Sequence, residues 1–259
     1  MKLIDDLLAT LPDGPVRKVQ VGAFWTAVVV EVDGQRRCGL ASTLREGDNH
    51  HYGGGPAVQD AGRLMEQSAL ELAKLARSQS LVEAAIGIAT INALLPPREE
   101  RWVDLNAEEV IAQYGAGKRV VLVGHFPFIP RLRESVGSLQ VLELRPREED
   151  VPAENASQVV PQADVLAITG TALINRTFEE LIAFRRPEAM VLVLGPSTPL
   201  SPVLFDHGVH LLSGSVVENL DSVLKAVSQG ANFRQVRRQG VRLVTMQKAR
   251  NRARIDLEG

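Results

Sequence analysis

A chain of 259 residues with formal net charge -2, 45% hydrophobic and 23% charged residues, has the profile of an ordinary globular protein and no global attraction to nucleic acid or anionic membranes. One cysteine, Cys38, excludes an intrachain disulfide framework and an all-cysteine metal site. No run approaches the ~18 uncharged apolar residues of a membrane span, and the aspartates of MKLIDDLLATLPDG mark an amphipathic helix rather than a signal peptide, so a cytoplasmic protein is expected.

In chain order, Leu3, Ile4, Leu7 and Leu8 share one face of a short first helix. Strand-like runs follow at Val16–Val21, Phe24–Val32 and Arg36–Ala41, and Asp33-Gly34 between the last two is a hairpin signal. Past a polar, glycine-rich loop, REGDNHHYGGGP, the spacing of Val58, Ala61, Leu64, Met65, Leu72 and Leu75 predicts a helix. Ser80 with Glu83 reads as a capping box opening another, which Pro96-Pro97 stops. Residues 1–96 are thus expected to form a small antiparallel α+β domain with its helices on one face of the sheet. Residues 97–117 read as a connecting segment carrying one helix, capped by Asn106 and Gly115.

The rhythm then changes. Arg119–Val123, Leu139–Leu144, Val165–Ile168, Met190–Leu194 and Val209–Leu212 are continuous apolar runs, as in strands buried on both faces. Helices are predicted at Pro130–Val136, Thr177–Arg185 (a second capping box, Thr177 with Glu180), Pro202–Asp206 and Val216–Ser228. Residues 118–240 therefore predict a Rossmann-like, doubly wound parallel-sheet domain, and the chain as a whole an α/β protein. Residues 241–259 form a basic C-terminal segment in which Val241–Met246 suits one more strand. That segment has no nucleic-acid module, so a solvated or subunit-facing role is favoured over RNA contact.

In a parallel sheet, ligands bind outside the carboxyl ends of the strands. Here those ends are followed by Gly124-His125-Phe126-Pro127, by Thr169-Gly170-Thr171 running on to Asn175, by Gly195-Pro196-Ser197-Thr198-Pro199, and by Ser213-Gly214-Ser215. Hydroxyls, amides and glycines without Asp or Glu suit a phosphate, a carboxylate or another anion better than a hard cation. The same residues also cap helices and make turns, which is the plainer account of each one singly. His125 is a candidate acid/base or metal ligand, or a histidine held by a backbone carbonyl. Asn92 lies in apolar IGIATINALL, where its amide needs partners; Gly87, a turn earlier, suggests close approach of another backbone or a ligand. Adjacent His50 and His51 point apart, and His207 and His210 read as turn residues, so local metal-ligand spacing is weak. P-loop, GxGxxG and GxSxG patterns are absent.

The strings GHFPFI, ITGTALINRTFEEL, GPSTPLSPVLFDHGVHLLSGSVV and IGIATINALL resemble a prokaryotic family named for heavy-metal chelation. The resemblance covers about residues 5 to 240, with GPSTPLSP its most distinctive part. It implies an enolase N-terminal-like domain followed by a Rossmann-like one, with a site in the cleft between them surrounded by Asn92, His125, Thr169, Thr171, Asn175, Ser197 and Thr198; Gly195 opens the GPSTPLSP turn. It also implies metal handling, by a divalent or heavy metal ion or an anionic metal chelate. Residues and resemblance together lead to a protein binding a small molecule or metal ligand, or alternatively an enzyme using His125 on a phosphate- or carboxylate-bearing substrate. Proteins of this class often pair, so a homodimer is one expectation.

Overall fold

The computed structural model describes residues 1–45 and 56–248, so His50 and His51 lie outside the described residues. Helix α1 (Lys2–Leu8) buries Leu3, Ile4, Leu7 and Leu8 together, as their spacing requires. Strands β1 (Val16–Val21), β2 (Trp25–Val32) and β3 (Gln35–Ser42) form an antiparallel sheet in that order. Asp33 and Gly34 turn β2 into β3 with φ of 52° and 73°, the left-handed pair that a two-residue hairpin needs.

The helix expected from Val58 to Leu75 is broken. Ser68 bridges to Pro15, and its hydroxyl accepts from the Glu71 N–H, so α2 (Ala69–Ala73) starts afresh there and tightens into a 3-10 turn at Lys74–Arg77. Helix α3 (Leu81–Leu94) begins at Ser80, but the Glu83 carboxylate takes the Gln59 N–H and the Ser78 hydroxyl instead of closing a capping box. Gly87 confirms close packing: a Cβ there would stand 1.9 Å from the Ala76 nitrogen.

After a two-residue strand, β4 (Trp102–Val103), and α4 (Ala107–Gly115), the second sheet is laid down by β5 (Arg119–Val123), α5 (Ile129–Ser135), β6 (Ser138–Glu143), β7 (Val151–Pro152), α6 (Ala156–Val159) and β8 (Val165–Thr169). It continues through α7 (Thr171–Ile174), α8 (Phe178–Phe184), β9 (Met190–Leu194), α9 (Val203–Asp206), β10 (Leu211–Val217), α10 (Leu220–Ser228), α11 (Phe233–Arg238) and β11 (Val241–Gln247). The strand order is β4-β11-β10-β9-β8-β5-β6-β7. From β10 to β7 neighbours run parallel, whereas β11 and β4 add antiparallel at one edge. The chain is an α/β protein with one antiparallel and one mixed sheet. Strand β11 and the short β4, drawn from the C-terminal segment and the connecting segment, thus belong to the large sheet.

Two details depart from expectation. Ser213-Gly214-Ser215 is not a turn but the middle of β10, paired with β11 from Leu211 to Val217, because the serines stay hydrogen-bonded inside the sheet. The small sheet also carries helices on both faces. Val28, Val30 and Val32 face the core shared with α3 and the large sheet, while Ala27, Val29 and Leu40 pack on Val223, Leu224, Val227 and Val236 of α10 and α11. Burial on both faces explains the apolar run Ala27–Val30 within β2. One core cluster takes residues from Leu3 to Leu94 and from Val121 to Met246, so the two sheets meet over packed side chains. Among the described residues no helix is long and apolar enough to cross a membrane.

Candidate functional site

The contact between the sheets is built on an absent side chain. A Cβ on Gly39 would lie 2.0 Å from the Ala89 carbonyl oxygen, so only glycine lets α3 lie this close to β3. That approach delivers Asn92, whose Nδ2 donates to the carbonyls of Leu40 at 2.9 Å and Ser197 at 3.4 Å. From the other side Gly195, at φ 105°, turns the chain after β9, and its carbonyl accepts from the Thr198 N–H. Ser197 Oγ then accepts from the Ser42 N–H at 2.9 Å and donates to Ser42 Oγ at 3.2 Å. Ser197 and Thr198 are 1% and 2% exposed.

Beside this seam lies a cavity of about 200 Å³. Cys38, Asn92, Trp102, Thr198 and Ser215 line it, with Arg36 and Arg37 from β3. Among the described residues no carboxylate lines it. Three of its lining residues carry a buried polar atom without a partner among the described residues: Asn92 Oδ1, Thr198 Oγ1 and Trp102 Nε1. Unpartnered buried polar atoms are uncommon and costly, and three on one small cavity ask for an occupant. The set comprises an indole N–H, a hydroxyl and an amide oxygen whose orientation is fixed by the two carbonyls its amide nitrogen serves.

These residues do not suit a bare metal ion. Burial pushes the Cys38 thiol up to about 12, so it stays protonated and is a poor ligand. No histidine or carboxylate joins it. Among the described residues no group of three or more His, Cys, Asp or Glu side chains converges as a metal site.

The remaining predicted residues sit elsewhere. Thr169, Thr171 and Asn175 line a second cavity of about 340 Å³, at the carboxyl ends of β5, β6 and β8, where Gly124 also lies. Thr169 Oγ1 and Thr171 Oγ1 are 3.0 Å apart, and Asn175 Oδ1 accepts from the Thr177 hydroxyl at 2.8 Å. Thr177 has helical backbone angles, φ -86° and ψ -9°, rather than the extended ones of a capping residue, so the expected Thr177–Glu180 capping box does not form, and Glu180 lines the cavity. Glu143 and Glu154 line it too, against the expectation of acid-free turns. The turns looked acid-free because these glutamates come from a strand end and from helical segments. The two groups nevertheless abut: a Cβ on Gly170 would stand 2.7 Å from Thr198 N.

His125 lines neither of these cavities. Its Nε2 lies 2.8 Å from Arg147 Nη1 and its Nδ1 3.5 Å from the buried Asp150 carboxylate. Since a guanidinium only donates, Nε2 is the acceptor and Nδ1 bears the proton facing Asp150. His207 and His210 are not merely solvated turn residues: His207 pairs with Asp6 at 2.8 Å, tying α9 to α1, and His210 Nδ1 accepts the Val191 N–H.

Trp102, Arg36, Arg37 and Glu143 went unnoticed in the sequence. The arginines look like the polar positions of an edge strand, and Trp102 lies in the segment read as a connection. Glu143, an acid ending the strand after Gly124, is the one with a signal.

Residues 106–246 match the DUF364 model and residues 4–95 the DUF4213 model, both described as "Putative heavy-metal chelation". The chain belongs to the DUF364 family. A DUF364 crystal structure of unknown function from Desulfitobacterium hafniense superposes with a TM-score of 0.81 at 25% identity, covering 95% of this chain and 98% of that one. Another, from Pyrococcus horikoshii, gives 0.79 at 20% identity over 95% and 99% of the two chains, a likeness of fold. An uncharacterized protein of Methanocaldococcus jannaschii is 24% identical over 211 residues, which is 77% of this chain and 78% of its own length.

Proposed function

We propose that the protein binds a small anionic ligand, a metal chelate being the form that accords with its family, in the cavity between its two sheets. The observation behind this reading is the trio Asn92 Oδ1, Thr198 Oγ1 and Trp102 Nε1, buried and without partners among the described residues, on three residues that line one cavity together with Arg36 and Arg37. Hydroxyl and indole hydrogens, with the guanidinium groups, favour carboxylate or phosphate oxygens. Asn92 Oδ1 can only accept, so the ligand also carries an O–H or N–H. A polycarboxylate bearing a hydroxyl meets both demands and is itself a metal chelator. The metal would arrive already wrapped, its charge satisfied by the ligand and not by this chain. We take the site to be a binding site; no observation favours the alternative of acid/base catalysis at His125, because both ring nitrogens face protein groups.

The test is a melting series in sodium citrate, sodium phosphate, zinc chloride, and zinc chloride with citrate. A ligand at a hundred times its Kd adds about 2.7 kcal/mol of stability, a rise of several degrees. Citrate or its zinc complex raises the Tm if the reading is right. A rise with zinc chloride alone, and none with any anion, overturns it.

A further inference from the structure

The second cavity has its own logic, independent of the reading above. Strands β7-β6-β5-β8-β9-β10 follow the order 3-2-1-4-5-6 of dinucleotide-binding sheets, and the order reverses at β5, which pairs with β6 on one side and β8 on the other. In such sheets the first strand ends in a glycine turn, and an acid about twenty residues on, at the end of the second strand, takes the ribose hydroxyls. Gly124 ends β5 at φ 100°, and a Cβ there would meet Thr169 at 3.0 Å. Glu143 ends β6 about twenty residues later. Its Oε2 is held by the Leu144 N–H at 3.0 Å, which fixes the carboxylate at the cavity. Leu142, Leu181 and Phe184 supply apolar wall. A volume of about 340 Å³ is at the small end of ligand pockets.

What is missing is equally specific. Gly124 is followed by His125-Phe126-Pro127-Phe128, without the further glycines that let a backbone approach a pyrophosphate. Among the described residues no lysine or arginine lines the cavity, and Glu154 and Glu180 join Glu143 there. A phosphate would face three carboxylates with no cation between them.

We propose that this cavity binds a ribonucleoside without phosphate, with Glu143 accepting hydrogen bonds from the ribose hydroxyls. The carboxylates of Glu154 and Glu180 favour a neutral or positively charged group at the 5′ position. The inter-sheet ligand plays no part in this proposal.

Isothermal titration of the full chain with adenosine, guanosine, cytidine, uridine, 2′-deoxyadenosine and AMP tests it. At least one ribonucleoside binds; for adenosine, 2′-deoxyadenosine and AMP each bind at least tenfold more weakly. Glu143→Gln weakens ribonucleoside binding at least tenfold while leaving the Tm and citrate binding unchanged, and Glu143→Asp restores part of it. Failure of all four ribonucleosides to bind at millimolar concentration overturns the proposal, as does tighter binding of AMP than adenosine or undiminished binding to Glu143→Gln. Because citrate is read on the same samples, loss of one site is distinguished from loss of the other.

Discussion

The side-chain amide of Asn92 donates to the carbonyl of Ser197, 105 positions later in the chain, and to that of Leu40 in the strand beside it. One residue of α3 thereby joins β3 to the turn after β9, while its own oxygen is buried without a partner among the described residues. Asn92→Asp puts a carboxylate where two carbonyls need a donor. It is expected to cost about 2 kcal/mol or more, read as a lower urea midpoint with unchanged slope. An unchanged midpoint would mean that Asn92 does not hold this seam.

Gly39→Ala tests the close approach that makes the seam. Its methyl would enter within 2.0 Å of the Ala89 carbonyl and 2.4 Å of the Ala93 nitrogen, both backbone atoms of α3. Relief requires the helix to lift from β3, so a loss of about 3 kcal/mol or more is expected in chemical denaturation. Gly34→Ala is the control: nothing stands within 4 Å of its Cβ, and its left-handed φ of 73° gives only local strain of about 1 kcal/mol.

Most of the large elements were legible in the sequence because their signals are local. Val16–Val21, Arg119–Val123 and Met190–Leu194 were read with the ends the structure gives them, and the Asp33-Gly34 hairpin stands where its chemistry put it. Asn92, Ser197 and Thr198 were legible too, as polar groups amid apolar or turn-forming neighbours. What local signals could not carry was the division of the candidate residues between two cavities. It depends on the order in which β5, β8 and β9 lie side by side, and on the 3-10 turn before α6 and on α8 carrying Glu154 and Glu180 to the same strand ends as Thr169. Ser213-Gly214-Ser215 misled for a related reason: glycine and serine signal a turn unless a partner strand such as β11 holds them extended.

Cys38 should be inert in the folded protein. With its thiol raised to about 12 by burial, roughly one molecule in ten thousand carries the reactive thiolate at about pH 8. Iodoacetamide labelling followed by mass spectrometry is expected to be negligible over hours in buffer and rapid in urea. Prompt labelling of the native protein would contradict a protonated, inaccessible Cys38.

His210 gives a pH dependence of definite sign. Burial, then the charges of Lys248 and Arg185, hold its imidazole below the usual 6.5. Below that value the unfolded chain takes up a proton that the folded one resists, so stability falls as pH drops under about 6.5 and levels off beneath the folded-state value. His210→Asn can keep an acceptor for the Val191 N–H but does not titrate, so its Tm should fall less steeply than the wild type's from about pH 7.5 to about pH 5.5. Parallel curves would rule this group out.

Citrate titration of wild-type protein and Thr198→Val, by calorimetry, addresses the inter-sheet site most directly. Thr198 Oγ1 is buried without a partner, so valine there should leave the protein as stable or about 1 kcal/mol more stable, while removing one hydrogen bond to the anion. Citrate binding is expected to weaken about ten- to a hundredfold in Thr198→Val with no loss of Tm. Equal affinity in the two proteins, or a Thr198→Val variant that melts several degrees lower, would contradict it.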